Sequence, residues 1–330
     1  MVATEHGKKE VDLPLMESKK KLLVITGPTA SGKTSVAIEV ASRLKGEIIS
    51  ADSMLVYKGM DIGTDKPSAG ELSKIKHHMI DVVKPDEEFN AAIYKSMVED
   101  IINDISSRGL LPVMAGGTGL YIKSVVDNYS FKGAGNNPGL RRSLREELNL
   151  KGAEYLHNQL LAADPETAGK LHPNDTRRII RALEIINKSG IPLSGLAGRN
   201  KNTQKYNVAM FGLHQERAVL YKKINGRVDE MLNRGLVEEV RGLLLKGYGT
   251  GLVSMKGLGY KEVAAYLEGD ISLDEAVYLL KRNTRRFAKR QLTWFKREHR
   301  IKWIDVGKHT DVHSIAGEII TDIKGLLPVS

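Results

Sequence analysis

The chain has 330 residues, 41% of them apolar and 27% charged, with a formal net charge of +10. These proportions describe a globular protein of one or two domains, and no run of about 18 apolar residues is present to cross a membrane. There is no cysteine, which excludes disulfides and thiolate metal sites. Residues 1–20 are polar, lack an apolar core and read as a disordered N-terminal extension rather than a secretion signal. The expected location is therefore the cytoplasm.

Leu22–Thr26 is a short apolar strand. It runs into Gly27-Pro28-Thr29-Ala30-Ser31-Gly32-Lys33-Thr34, a G-x-x-x-x-G-K-T loop, and the helical pattern Lys33–Leu44 follows. Strand, loop and helix in that order make a phosphate cradle. Backbone N–H groups at the helix start receive phosphate oxygens, Lys33 adds a point charge, and the Thr34 hydroxyl is suited to Mg2+. Any pyrophosphate fits such a loop, so the loop does not name its ligand.

A second strand, Glu47–Ala51, ends at Asp52, a position open to three readings: Mg2+ ligand, general base, or cap of the next turn. Strands Met79–Val83 and Leu110–Met114 flank a helix at Ala91–Arg108. Gly116-Gly117-Thr118-Gly119 follows; its glycines permit close backbone approach to a ligand. The alternation predicts an α/β fold, a P-loop NTPase-like parallel sheet wrapped by helices. Ligands then bind beyond the carboxyl ends of the strands, the rim that holds the phosphate loop, Asp52 and Thr118. The pair His77-His78 has no carboxylate at metal-ligand spacing and reads as structural.

From about Tyr129 the pattern changes. Residues 132–139 read as a loop, and helices follow at Leu140–Leu148, Ala153–Ala163, Glu166–Leu171 and Asp175–Lys188. The last has Asn174 or Asp175 as its cap, with Gly190 and Pro192 beyond its end. This predicts an all-helical insertion at residues 129–205, inside a core made of residues 21–128 and 206–330. Arg177, Arg178 and Arg181 cluster on its last helix. Strands Val208–Leu213 and Ile301–Val306 return to the core, and Arg217, just after the first of them, is expected near the phosphate site.

Between Lys281 and Lys302 lie ten Lys/Arg and one acid, Glu298, so this segment carries almost the whole positive excess. On a helical wheel Arg282, Arg285, Arg286, Lys289, Arg290, Lys296, Arg297 and Arg300 fall within roughly 140°. Phe287, Ala288, Leu292, Trp294 and Phe295 fall on the other side. A solvated face usually mixes signs; one this uniform suits a phosphate backbone. Membrane-surface binding is disfavoured, because the aromatic face is needed for the core.

With these segments assembled, the chain resembles the tRNA dimethylallyltransferase (tRNA isopentenyltransferase) family in its bacterial form. The resemblance runs from Leu22 to Asp305. It rests on Gly27–Thr34, Ile48–Tyr57 continuing through Gly59–Thr64, His78 and Asp81–Pro85, Gly116–Tyr121, His172–Asp175 with Arg178 and Arg181, Gly257–Tyr260, and Arg285–Trp294. It implies transfer of a dimethylallyl group from dimethylallyl diphosphate to N6 of the adenosine 3′-adjacent to the anticodon, with Mg2+ as cofactor and the anticodon stem-loop of tRNA as partner, by a monomer. It implies that Asp52 is the base and that Thr118 bonds near the reaction centre. Gly27, Pro28, Thr29, Ala30, Ser31, Gly32, Lys33, Thr34 and Arg217 would hold the diphosphate, with Thr34 on the metal. The RNA contacts implied are Asp52, Ser53, Met54, Leu55 and Thr118; Arg141, Arg177, Arg178, Ile179, Ile180 and Arg181; Met255, Lys256, Gly257, Leu258, Gly259, Tyr260 and Lys261; and Arg282, Arg286, Lys289 and Arg290.

Two departures stand out. Leu55 replaces a frequent Gln, and Asn174-Asp175-Thr176-Arg177-Arg178 lacks the family's proline at the helix start. Competing readings are an adenylate isopentenyltransferase acting on a free nucleotide, a small-molecule kinase and a non-catalytic RNA-binding module. The first would not need the cationic helix or the insertion.

Overall fold

Alternate residues of the first strand go to opposite sides of one sheet, and this organises the molecule. Leu23 and Ile25 enter one buried cluster, Leu22 and Val24 another. A strand buried on both faces in this way is the mark of a covered parallel sheet. The computed structural model describes residues 19–131, 137–195 and 204–326. The expected extension, apart from Lys19 and Lys20, and most of the expected loop at 132–139 lie outside the described residues.

In chain order the core begins with β1 (Lys20–Thr26), α1 (Lys33–Arg43), β2 (Gly46–Ser50), α2 (Ala69–Leu72), β3 (His77–His78), α3 (Ala91–Ser107), β4 (Leu111–Gly116) and α4 (Gly119–Val126). Helices α5 (Pro138–Lys151), α6 (Ala153–Ala163), α7 (Pro165–Ala168) and α8 (Thr176–Ser189) follow. The chain closes with β5 (Tyr206–His214), α9 (Arg217–Asn233), α10 (Leu236–Leu245), α11 (Tyr260–Leu267), α12 (Leu273–Phe295), β6 (Ile301–Asp305) and α13 (Val312–Leu326). The strands make one six-stranded sheet in the order β3-β2-β4-β1-β5-β6, and every pairing is parallel. Helices α1 and α13 cover one face through Val36, Val40, Ile315 and Ile319. Helices α3 and α4 cover the other through Tyr94, Val98, Ile102 and Val125. No helix among the described residues is long and apolar enough to cross a membrane.

Further clusters of the described residues lie off the sheet, among them one of Ala30, Leu220, Ile224 and Ala288 beside the phosphate loop. Leu144, Leu156, Leu160, Ile179 and Ile180 give α5–α8 a core of their own. Val56, Tyr57 and Met60, from the segment after β2, pack with Val228, Val240, Tyr260 and Leu280 from α9–α12. That segment thereby ties the second strand to the later helices, and its course sets the walls of the site.

Two sequence expectations are corrected. Met79–Val83 is not a strand: Met79 and Asp81 have positive φ, 64° and 53°, which extended backbone does not accept. The segment runs instead beside residues 55–58, with Asp81 N–H donating to Leu55 O and Val82 N–H to Val56 O; the sheet's edge strand is His77–His78. The cationic helix ends at Phe295, so Lys296 is its cap and Arg297 and Arg300 leave its face. The reason is local and tertiary together. Glu298 N–H turns back to Phe295 O, the Arg300 guanidinium holds Glu298 at 2.7 Å, and Ile301 must pair with Met210 of β5.

Candidate active site

Gly27 starts the phosphate loop at φ 146°, and a Cβ there would lie 2.5 Å from Leu213 O of the neighbouring strand; only glycine fits. The loop closes at Gly32, the cap of α1, where no side chain caps the helix. The first N–H groups of a helix have no intrahelical partners, so an anion is the natural occupant of this end.

A cavity of about 240 Å³ lies over the loop, lined among others by Lys33, Thr34, Asp52, Leu55, Arg227 and Gln291. A second, of about 310 Å³, adjoins it. Its walls include Ser53, Met54, Gly257, Leu258, Lys261 and Arg290. Thr29, Asp52, Thr64, Asp65 and Arg227 belong to both. Asp52 therefore stands at the junction of an anion pocket and a roomier pocket with an apolar and cationic lining. Asp52 Oδ1 accepts Met54 N–H at 2.8 Å, which fixes the carboxylate on its own turn. The cap reading and the catalytic reading of Asp52 are thus compatible: one oxygen makes the turn.

Lys33 Nζ donates to Pro28 O at 2.7 Å. Desolvation and the neighbouring Arg227 guanidinium bring its pKa down to about 8, against the pull of Asp52. Two cations stand close together at this wall, and the negative charge of a diphosphate would relieve their repulsion. Arg227 donates to Thr29 Oγ1 at 3.1 Å and pairs with Asp65 at 3.2 Å.

Arg217 is not among the lining residues of this site. It begins α9, its guanidinium 5.0 Å from the Tyr221 ring centroid. Ten residues of helix, roughly 15 Å at 1.5 Å per residue, separate it from Arg227, which occupies the position expected of it. The sequence offered both arginines on one helix and no way to tell which turn faces the loop.

Gln291 is a second site residue that sequence reasoning misses. It is buried on α12, accepts Thr29 N–H at 2.8 Å and donates to Gly117 O at 3.0 Å, joining the phosphate loop to the loop after β4. A Cβ on Gly117 would stand 2.2 Å from its amide. The signal was present: an amide in a run whose buried positions are otherwise Ala276, Leu280, Thr284, Ala288 and Phe295.

Thr118 lines neither cavity. Its N–H donates to Ala51 O and its hydroxyl accepts Ser53 N–H, both at 3.0 Å. It acts on the Asp52 turn from outside. Glu239 steadies the facing wall, accepting N–H groups of Asp61, Ile62 and Gly63 and the Tyr260 hydroxyl at 2.7–3.1 Å. Burial and that carboxylate push the Tyr260 phenol well above its ordinary range.

The residues expected to contact RNA divide. Ser53, Met54, Lys256, Gly257, Leu258, Lys261 and Arg290 meet around the second cavity, and Leu55 lies in the first. Arg177, Arg178, Arg286 and Lys289 are exposed on α8 and α12. Arg282 is half-buried over the Tyr278 ring. Ile179, Ile180, Met255 and Tyr260 are buried at 0–7% exposure, so their side chains belong to core clusters and not to the surface where they were expected. Gly259 opens α11 at φ 90°. Arg141 and Arg181 both donate at 2.7 Å to Glu184, which is fully buried between α5 and α8.

Among the described residues no group of three or more His, Cys, Asp or Glu could hold a metal. Thr34 and Asp52 are the oxygen donors shared by the loop cavity and the expected chemistry.

A family model described as IPP transferase matches residues 55–298. The chain is 55% identical to the tRNA dimethylallyltransferase of Desulforudis audaxviator, over 92% of this chain and 97% of that one. It is 44% identical to that of Bacillus subtilis, over 94% and 98%. Among solved structures it is similar to the full-length tRNA isopentenylpyrophosphate transferase from Bacillus halodurans, with TM-score 0.70 and 42% identity over 94% and 97% of the two chains. A eukaryotic dimethylallyltransferase acting on tRNA superposes with TM-score 0.80 at 28% identity, over 94% of this chain and 80% of that one.

Proposed function

The chain belongs to the IPP transferase family, and from this we propose that it transfers a dimethylallyl group from dimethylallyl diphosphate to N6 of the adenosine 3′-adjacent to the anticodon of tRNA, releasing pyrophosphate. The observation that carries this reading is the wall common to the two cavities, which brings Asp52 between an anion pocket and a pocket with room for a base. An ATP-hydrolysing enzyme would need water at that wall; a prenyl transferase needs an acceptor there.

In the reaction the N6 lone pair attacks the allylic C1. The C1–O bond breaks, its electron pair leaves with the diphosphate, and the N6 proton passes to the Asp52 carboxylate. The adenine amine is barely basic and becomes acidic only as the new C–N bond forms. An ordinary carboxylate therefore suffices as a late proton acceptor. Departure of the diphosphate is the harder task. The loop N–H groups, Lys33 and Arg227 neutralise the charge it develops. Thr118 acts through Ser53, holding the turn that carries Asp52.

Mg2+ fits the first cavity, whose wall includes the Thr34 hydroxyl, a neutral donor that would hold the ion together with oxygens of a bound diphosphate. This ion is commonly bound by few protein ligands together with phosphate and water. Bound there, it would add charge neutralisation to the leaving group. The anticodon loop offers an unpaired base that is readily splayed into a pocket, and the exposed Arg177, Arg178, Arg286 and Lys289 supply phosphate contacts. The working unit in this proposal is a monomer, and its place the cytoplasm.

The test offers the enzyme dimethylallyl diphosphate with an anticodon stem-loop and with AMP. Prenylation of the RNA adenosine, located by mass spectrometry, is expected. Prenylation of AMP with none of the RNA would transfer the reading to a free-nucleotide enzyme.

A further inference from the structure

A third cavity, of about 490 Å³, shares no lining residue with the two above. It opens where the start of α9 meets the last turns of α12 and the strand β6. Arg217, Lys289 and Lys296 supply three cations to its wall, Tyr221 and Trp303 supply two half-buried rings, and among the described residues no carboxylate lines it. The Arg217 guanidinium lies 5.0 Å from the Tyr221 ring centroid, an arrangement that keeps a flat cation beside a flat ring. A volume of this size suits a small ligand. Cations of one sign beside aromatic faces select a molecule that is both planar and anionic, and a nucleotide is the common one.

We propose that this cavity receives an unpaired nucleotide of the tRNA substrate other than the reacting adenosine. The argument for RNA is continuity along α12. Arg290 lines the reaction cavity, while Lys289 and Thr293, on the same exposed stretch, line this one. A strand that crosses the exposed face of α12 meets both. Lys296, the cap of α12, keeps a helical backbone (φ −61°, ψ −18°) and follows Lys289 and Thr293 on the same wall as its third cation. This inference rests on tRNA being the substrate.

The experiment uses the full chain in three forms: wild type, the double variant Arg217→Ala/Lys296→Ala, and Tyr221→Leu. The double variant removes two exposed cations, and with Arg217 its contact with the Tyr221 ring. Tyr221→Leu removes the ring at constant charge, with thermal unfolding and dimethylallyl diphosphate affinity reporting that the fold is kept. Binding of an anticodon stem-loop is followed by anisotropy across a salt series, and of AMP by calorimetry. The expected result is a roughly tenfold weaker RNA affinity in each variant. The salt slope of the double variant should flatten by about 0.7 for each phosphate that Arg217 or Lys296 neutralises in the wild type, with kcat at saturating RNA unchanged. RNA affinity equal to wild type in both variants would overturn the proposal. So would AMP binding by wild type that disappears in the double variant while RNA binding persists, since the cavity would then serve a free nucleotide. A wild type that never prenylates RNA would remove the proposed function itself. A wild type that does, with variants that bind RNA as well as it does, would remove only the second nucleotide site.

Discussion

At the residue scale the site turns on Asp52, Lys33 and Arg227. Replacing Asp52 with Ala removes the proposed proton acceptor but none of the cationic surface. We expect kcat to fall by about 10²–10⁴-fold while stem-loop affinity stays within about twofold; unchanged turnover would remove Asp52 from the mechanism. Lys33 is held down to about 8 by burial and by Arg227. A bound diphosphate stabilises its charged form and raises that pKa, so binding takes up a proton above the free-enzyme value. Diphosphate affinity should be flat below about pH 8 and weaken as pH rises through it, approaching tenfold per pH step. A Lys33→Arg enzyme, which stays charged, should lose that inflection. The two arginines of α9 give the sharpest contrast. Arg227→Ala should raise the KM for dimethylallyl diphosphate at least tenfold, and Arg217→Ala should leave it within twofold. The opposite order would restore the expectation drawn from sequence.

At the element scale α12 does three jobs with three faces. Ala276, Leu280, Ala288 and Phe295 bury it, Gln291 reaches into the site, and Arg286, Lys289 and Arg290 remain exposed. If the exposed cations bind RNA as proposed, the helix couples that binding to the phosphate loop, because one rod carries both. Gln291→Ala would leave the Thr29 N–H and the Gly117 carbonyl without their partner, a cost of about 1–3 kcal/mol for a buried polar group left unsatisfied. Urea unfolding should register that loss, together with a higher KM for the diphosphate; a variant as stable as wild type would mean that water replaces the amide without cost. Arg286→Ala should weaken stem-loop binding and reduce its salt slope by about 0.7–0.9. An unaltered slope would count against a phosphate contact at this residue. The three faces were only partly legible in the sequence. The apolar period and the charge excess gave the helix and its exposed cations, but the wheel ran on past Phe295 because nothing in it registers that Ile301 must join β5.

At the scale of the whole molecule, stability and site share the sheet. Glu47, buried on β2, receives both guanidinium nitrogens of Arg108 at 2.6 and 2.8 Å and a ring nitrogen of His78 at 2.7 Å. The Arg108 bonds foremost, with help from His78 and Lys76, hold its carboxyl down at about 2. The unfolded chain releases that proton near the ordinary 4.5. This network therefore stabilises the fold fully above that value and is lost as pH falls through it toward 2. Its contribution is on the order of 3 kcal/mol. A Glu47→Gln chain should show a flatter acid limb in stability against pH; an acid limb as steep as wild type would mean that other carboxylates govern it.

Particular residues mark how far the sequence alone reached. The phosphate loop, the strand before it and the helix after it were legible because they are local: glycine spacing, an apolar run and a 3.6-residue period require no partner. The ordered motifs that carry the family resemblance were legible for the same reason, each being a short contiguous run. The helices after Tyr129 were readable too, with Gly190 marking the end of the last, although the first begins at Pro138 with Asn137 as its cap, inside what read as a loop. What only the tertiary structure decided are matters of which turn faces which wall. Arg227 rather than Arg217 meets the phosphate loop, Tyr260 and Met255 are core rather than surface, and the Thr118 hydroxyl accepts Ser53 N–H. His77–His78 forms the sheet edge in place of Met79–Val83. Gln291 bonds across 262 positions of sequence to Thr29. The physical reason is the same throughout: composition and period fix what a segment is, while the direction of a side chain depends on the rotation and end-point of an element, and these are set by the distant elements packed against it.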